Sequence, residues 1–194
     1  MKKTLWTRNY TLVTAATTLG MIGSIAGGFA LSFLVFDETG STLAAALIVA
    51  IQLVPTFLLP LIFAPWMDRL PRKPFLVGGD VVNAILYTLM GVYLMFFRFS
   101  YIGYLAYSLL LSALGTIDEL AYNSIYPKLI PEGMEQQGYA VSSMLYPVMK
   151  VLLMPLSAVL LDFFGVTWLL VIQGVFSLLA ALVESRIQIA EVSR

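Results

Sequence analysis

The chain has 194 residues, 60% of them hydrophobic and only 11% charged, with a mean hydropathy of +0.90. A soluble domain carries roughly 45–50% apolar and about 25% charged residues, so this composition excludes a water-facing fold and predicts an all-α membrane protein. Without cysteine or histidine there are no disulfides, thiol nucleophiles, zinc-type sites or near-neutral imidazole bases, and a formal net charge of +0 offers no basic patch for nucleic acid.

Uncharged intervals, taken in chain order, mark the elements. The first covers residues 10–36, after Lys2, Lys3 and Arg8, and closes in the acidic turn Asp37-Glu38-Thr39-Gly40. It is rich in small residues. Gly23 and Gly27 form a small-xxx-small pair, and Gly20, Ser24 and Gly28 extend one face, so close packing of another helix is expected there. A secretory signal cleaved near Ser24-Ile25-Ala26 is the competing reading. It fails because the apolar run exceeds the roughly 7–15 residues of a signal core and further spans follow.

The second span covers 41–67 and ends at a compact charged turn, Asp68-Arg69-Leu70-Pro71-Arg72-Lys73. The third covers 75–97, with Asp80 as the single acid before Arg98. The fourth covers 101–125 and carries Asp118 and Glu119 late in its course, before Pro127, Lys128, Pro131, Glu132 and Glu135 mark a polar loop. The fifth covers 138–161, with Lys150 in its interior, and closes at Asp162-Phe163-Phe164-Gly165; the sixth covers 167–183, before Glu184 and Arg186. Six helices of about 20 residues each fill the chain, which reads as one transmembrane domain over 1–194 with short loops.

Orientation follows from counting Lys and Arg by side, because cytoplasmic loops keep the positive charge. With the N-terminus inside, the inner segments hold Lys2, Lys3, Arg8, Arg69, Arg72, Lys73, Lys128, Arg186 and Arg194, against Arg98 alone outside. Both termini are therefore expected in the cytoplasm of a multi-pass protein of the cell membrane. Trp6, Trp66 and Trp168 fall at predicted span ends, where an aromatic belt belongs.

Charges inside the spans are the site candidates, since each costs at least about 2.5–3.5 kcal/mol in hydrocarbon and persists only with a partner, a cavity or a role. Lys150 lies about 12 residues into its helix, roughly 18 Å deep and near the midplane. It is read either as half of a buried ion pair or as a substrate or ion contact. Asp118 and Glu119, being adjacent, point about 100° apart, so at most one is expected to face a cavity. Either could pair with Lys150, and such a carboxylate could carry a coupling proton. Asp80 is expected to anchor the cations of the nearby turn. Gln52, Asn83, Tyr87, Tyr107 and Gln173 read as interhelical hydrogen-bond partners.

With its flank, the turn reads Ala64-Pro65-Trp66-Met67-Asp68-Arg69-Leu70-Pro71-Arg72-Lys73 and resembles the signature loop of the major facilitator superfamily, Gly-x-x-x-Asp-Arg-x-Gly-Arg-Arg/Lys. The charged positions match in type and spacing, while Ala64 and Pro71 stand where the family has glycine. The run Tyr126-Pro127-Lys128-Leu129-Ile130-Pro131-Glu132, followed by Gly138-Tyr139-Ala140-Val141-Ser142-Ser143, resembles the fourth-to-fifth helix connection of bacterial drug-exporter-like members. Of the antiporter element Gly-Pro-x-x-Gly-Gly, the stretch Met154-Pro155-Leu156-Ser157-Ala158-Val159 keeps only the proline, so that motif does not support antiport.

The resemblance implies six transmembrane helices forming one half of a major-facilitator-type bundle, a 3+3 inverted repeat matching the N-terminal half of such transporters. It implies that Asp68, Arg69, Arg72 and Lys73, with Asp80, serve as a signature and gating loop. It also implies secondary transport of a small molecule, with efflux suggested by the drug-exporter likeness, and a second six-helix half supplied by another chain or a second copy. The alternative is a truncated or accessory membrane protein without transport of its own. An enzyme is not expected, since no HExxH-type motif or activated nucleophile is present, and neither is a cofactor or metal. The expected partners are the lipid bilayer, the second half and a small-molecule substrate.

Overall fold

The structure, a computed structural model, describes residues 4–67 and 72–188, apart from the side chains at positions 64, 66 and 67. It is helical throughout: α1 (Arg8–Thr39), α2 (Thr42–Met67), α3 (Arg72–Phe96), α4 (Tyr101–Leu129) and α5 (Glu135–Ser185).

Local signals account for the ends. The Thr7 hydroxyl accepts from the Tyr10 backbone N–H at 3.3 Å and caps α1, while Gly40, at φ 61, closes the helix by donating its N–H to the Phe36 carbonyl. Ser100 caps α4 by accepting from the Gly103 N–H at 3.5 Å. Pro127 sits in the last turn of α4, and the helix runs on only to Leu129. Within α1, the hydroxyls of Thr14, Thr17 and Thr18 donate to the carbonyls of Tyr10, Val13 and Thr14, so these polar side chains are satisfied without water.

Gly165 divides α5. The element spans 51 residues, about 75 Å if straight, yet Gly165 has φ 73 and ψ 172, a conformation essentially restricted to glycine. Contacts show that the chain reverses there. The Tyr10 hydroxyl donates to the carbonyl of Gly138 near the start of α5, and Asn9 Nδ2 donates to the carbonyl of Gln188 just past its end, at 2.7 Å. The Gln188 N–H returns a bond to Asn9 Oδ1 at 3.2 Å. Both ends of α5 therefore meet the beginning of α1, while Leu161 and Leu169 pack with Ala26 and Ala30 far along it. The expected fifth and sixth helices thus correspond to the two arms of α5, which meet at Gly165, a single positive-φ glycine standing where a loop was expected. Asp162, Phe163 and Phe164 remain helical.

The helices run up and down between two buried clusters. At one end, Tyr10 and Val13 of α1 meet Leu76 of α3, Ile125 and Tyr126 of α4, and Ile187. At the other, Leu31 and Val35 of α1 meet Ile48 of α2, Tyr104 of α4 and Leu170 of α5. α1 and α3 pack chiefly on α5, and α2 packs on α4. Hydroxyl-to-carbonyl bonds stitch neighbours together: Ser112 donates to Gln52 at 2.5 Å, Tyr101 to Ala44 at 2.9 Å and Tyr107 to Leu86 at 3.2 Å. Each such bond contributes about 0.6 kcal/mol inside a membrane.

Four of these helices are long and apolar enough to cross a membrane: α1, α2 over Thr42–Phe63, α3 and α5. α4 falls outside that set because Asp118, Glu119 and its tyrosines and serines dilute it. The outer surface is apolar, with Leu61 of α2 at 77% and Val151 of α5 at 74% exposure, as a lipid-facing surface requires.

Candidate functional site

Four helices present polar stripes to a common interior space. Helical spacing puts Thr17, Gly20 and Ser24 of α1 on one face, Asp80, Asn83 and Tyr87 of α3 on another, and Asp118, Glu119, Tyr122 and Asn123 of α4 on a third. Gln173, Ser177 and Glu184, from the returning arm of α5, complete the wall of a cavity of about 440 Å³.

Its chemistry is acidic. Asp80, Asp118 and Glu184 lie close enough to repel one another electrostatically when ionised. Glu184 is 4% exposed, and its Oε2 has no hydrogen-bond partner among the described residues. The same holds for Asp118 Oδ1 and for Oε1 of Gln173, which is 3% exposed. Asp118 fits because position 79 is glycine: a Cβ there would lie 2.9 Å from Asp118 Oδ1. Both adjacent acids line the cavity, where at most one was expected to. The cavity wraps far enough around α4 to reach Asp118 inside the bundle and Glu119 on its exposed margin.

A second cavity, of about 580 Å³, lies between α1, α2 and α4 and includes Gln52, Thr56, Ser108 and Ser112. Tyr87 and Leu111 belong to the walls of both cavities.

Lys150 stands elsewhere. It is exposed on the first arm of α5, its ammonium 5.7 Å from the centroid of the Tyr146 ring, and it does not line the acidic cavity. The structure therefore does not bring Lys150 together with Asp118 or Glu119. Of the signature loop, Asp68 and Arg69 lie outside the described residues. Arg72 donates to the Ser124 carbonyl at 3.3 Å and Lys73 to the Ser185 carbonyl at 2.8 Å. Both cations thus reach carbonyls near the C-terminal ends of α4 and α5, where the helix dipoles favour positive charge. Asp80, expected as their anchor, lines the cavity.

The glycines of α1 divide by environment. A Cβ at Gly23 would lie 3.2 Å from the Gln173 carbonyl, and one at Gly27 would collide with the Gln173 side chain, so these two admit the returning arm of α5. Gly20 meets nothing within 4 Å; it borders the cavity rather than a helix. Glu184 was the functional candidate missed in the sequence, because beside Ser185 and Arg186 it reads as a span boundary. The signal that reveals it is the stripe Gln173, Ser177, Glu184, which stays on one helical face.

The family model described as Major Facilitator Superfamily matches residues 10–187. No curated protein and no solved structure matches the chain.

Proposed function

Because the chain belongs to the Major Facilitator Superfamily, whose members are transporters and not enzymes, we propose that it takes part in secondary transport of a small molecule across the cell membrane. The observation that carries this reading is the carboxyl-lined cavity inside an otherwise apolar bundle, since ionisable groups at membrane depth persist where a solute or ion passes.

In this proposal the two arms of α5 count as separate crossings, giving six crossings arranged as two inverted three-helix units. The chain forms one half of the transporter, with efflux as its direction. A second six-helix half, from another chain or a second copy, completes the path, and alternating access comes from one half rocking against the other. Lys150 supports the need for a partner: its charge sits on the apolar face of the first arm, where a second half would cover it. The balance of Lys and Arg supports both termini in the cytoplasm.

Reconstitution tests the reading. Vesicles containing the chain, with and without a co-expressed second half, are assayed for gradient-driven flux of fluorescent solutes of each charge class. Flux that is lost in Asp118→Asn supports transport. No flux in either preparation, with Lys150→Ala altering stability alone, leaves an accessory membrane protein as the answer.

A further inference from the structure

A groove runs along the outside of the bundle, where α3 ends and α4 begins. Leu86, Leu89 and Leu94 of α3 line it together with Phe99, Tyr104 and Tyr107, around a space of about 360 Å³. Tyr104, 3% exposed, forms its floor. The groove opens toward lipid: Leu89 is 58% exposed, and Gly103, also in the wall, is exposed. A Cβ at Gly103 would meet only Ser100 within 4 Å, so the side chain missing there helps to leave the gap.

The wall selects an apolar occupant. The Tyr107 hydroxyl donates to the Leu86 carbonyl at 3.2 Å and the Tyr93 hydroxyl to the Arg98 carbonyl at 3.3 Å, so these polar tips are turned to backbone and the rings present apolar surface. Phe99 packs on Tyr104 at 5.6 Å between ring centroids, and Tyr104 on Tyr107 at 6.2 Å, which stiffens the α4 side. From Leu94 to Leu86 the groove follows α3 for about 12 Å, at 1.5 Å per residue. The hydrocarbon of one leaflet is about 15 Å deep, half of a core about 30 Å thick. The groove therefore runs from the turn between α3 and α4 through most of one leaflet, which is the course of an acyl chain.

The mouth carries a charge. Arg98 is exposed in that turn, next to Phe99, and is the single Lys or Arg between Lys73 and Lys128. A guanidinium at the level of the lipid headgroups matches phosphate in charge and in its forked donors.

We infer that this groove holds a membrane phospholipid, with one acyl chain against Tyr104 and Tyr107 and the phosphate on Arg98. It shares no wall residue with the acidic cavity, and the inference does not depend on the transport reading.

The full chain, purified in detergent, is mixed with a phosphatidylglycerol that carries a photoreactive diazirine halfway along one acyl chain, irradiated and digested, and the labelled peptides are read by mass spectrometry. Saturable label concentrated between residues 86 and 107 is expected. Unlabelled phosphatidylglycerol displaces it, and a diacylglycerol with the same chains but no phosphate competes about fivefold less well. Arg98→Gln weakens labelling about fivefold, while Arg98→Lys keeps most of it. Gly103→Leu grows a side chain into the groove and lowers labelling; the Arg98 variants, at an exposed position, and the diacylglycerol competition decide the matter if that variant fails to fold. Label spread evenly over exposed apolar positions such as Leu61 and Val151 overturns the inference, as does diacylglycerol competing equally well or Arg98→Gln labelling like the wild type.

Discussion

Replacing Gly174 with alanine tests the packing of α3 against the returning arm of α5. A Cβ at Gly174 would run into Thr88 Oγ1 and lie 2.9 Å from the Ala84 carbonyl oxygen. Thr88 can turn away, but the Ala84 carbonyl belongs to the α3 backbone. Carbon-to-carbonyl contacts between packed helices sit at about 3.3–3.6 Å, so the two helices would have to part by about half an ångström. Overpacking of this kind costs about 1–3 kcal/mol. Alanine also gains up to about 1 kcal/mol of helix propensity over glycine, and that gain is shared by any helical glycine. Gly20, with nothing within 4 Å of its notional Cβ, is the internal reference. The difference between Gly174→Ala and Gly20→Ala therefore isolates the steric cost. At about 2–4 °C per kcal/mol for a chain of this size, Gly174→Ala melts roughly 2–12 °C below Gly20→Ala by circular dichroism in the same detergent. Coincident midpoints, or a higher midpoint for Gly174→Ala, refute the packing described for this contact.

Gly165→Ala places a side chain at φ 73 and ψ 172, which costs about 1–3 kcal/mol and lowers the yield of folded protein on size-exclusion chromatography. Tyr126→Phe removes the hydroxyl that donates to the Gly138 carbonyl at 2.7 Å, costing about 1 kcal/mol. Tyr10→Phe costs less by the same thermal assay, since its bond to that carbonyl is 3.3 Å long. Lys150→Met leaves the stability of the isolated chain within about 0.5 kcal/mol, because the ammonium is exposed; in the assembled transporter it lowers flux. Since the chain has no cysteine, single-cysteine variants report topology directly. Glu38→Cys and Arg98→Cys are expected to react with an impermeant maleimide from outside the cell, and Glu132→Cys only after the membrane is opened.

The helical membrane class was legible from composition because apolar residues leave too little polar surface for water. Asp80 and Asp118 stood out for a related reason: a carboxyl group in a long apolar run is visible without coordinates. Their convergence was not legible, since it depends on packing between helices, such as the close approach of α3 and the returning arm of α5 at Gly91 and Gly174, and not on spacing within any one helix. The reversal at Gly165 was half visible, as a glycine after Asp162, Phe163 and Phe164. Sequence suggested a loop there because loops are the usual solution, while the backbone turns on one residue. That Lys150 stands apart from Asp118 and Glu119 was not legible either, because its depth along the helix says nothing of which way around the helix the side chain faces.

The paired bonds between Asn9 and Gln188 carry a mechanical consequence. They hold together the two points at which the bundle would be pulled if tension were applied between residues 4 and 188. Load would enter at that clasp, open it first, and then peel the returning arm of α5 from α1 turn by turn, instead of shearing the whole contact at once. Under a stretching force the bundle should yield in a series of small steps, each the size of one or two helical turns.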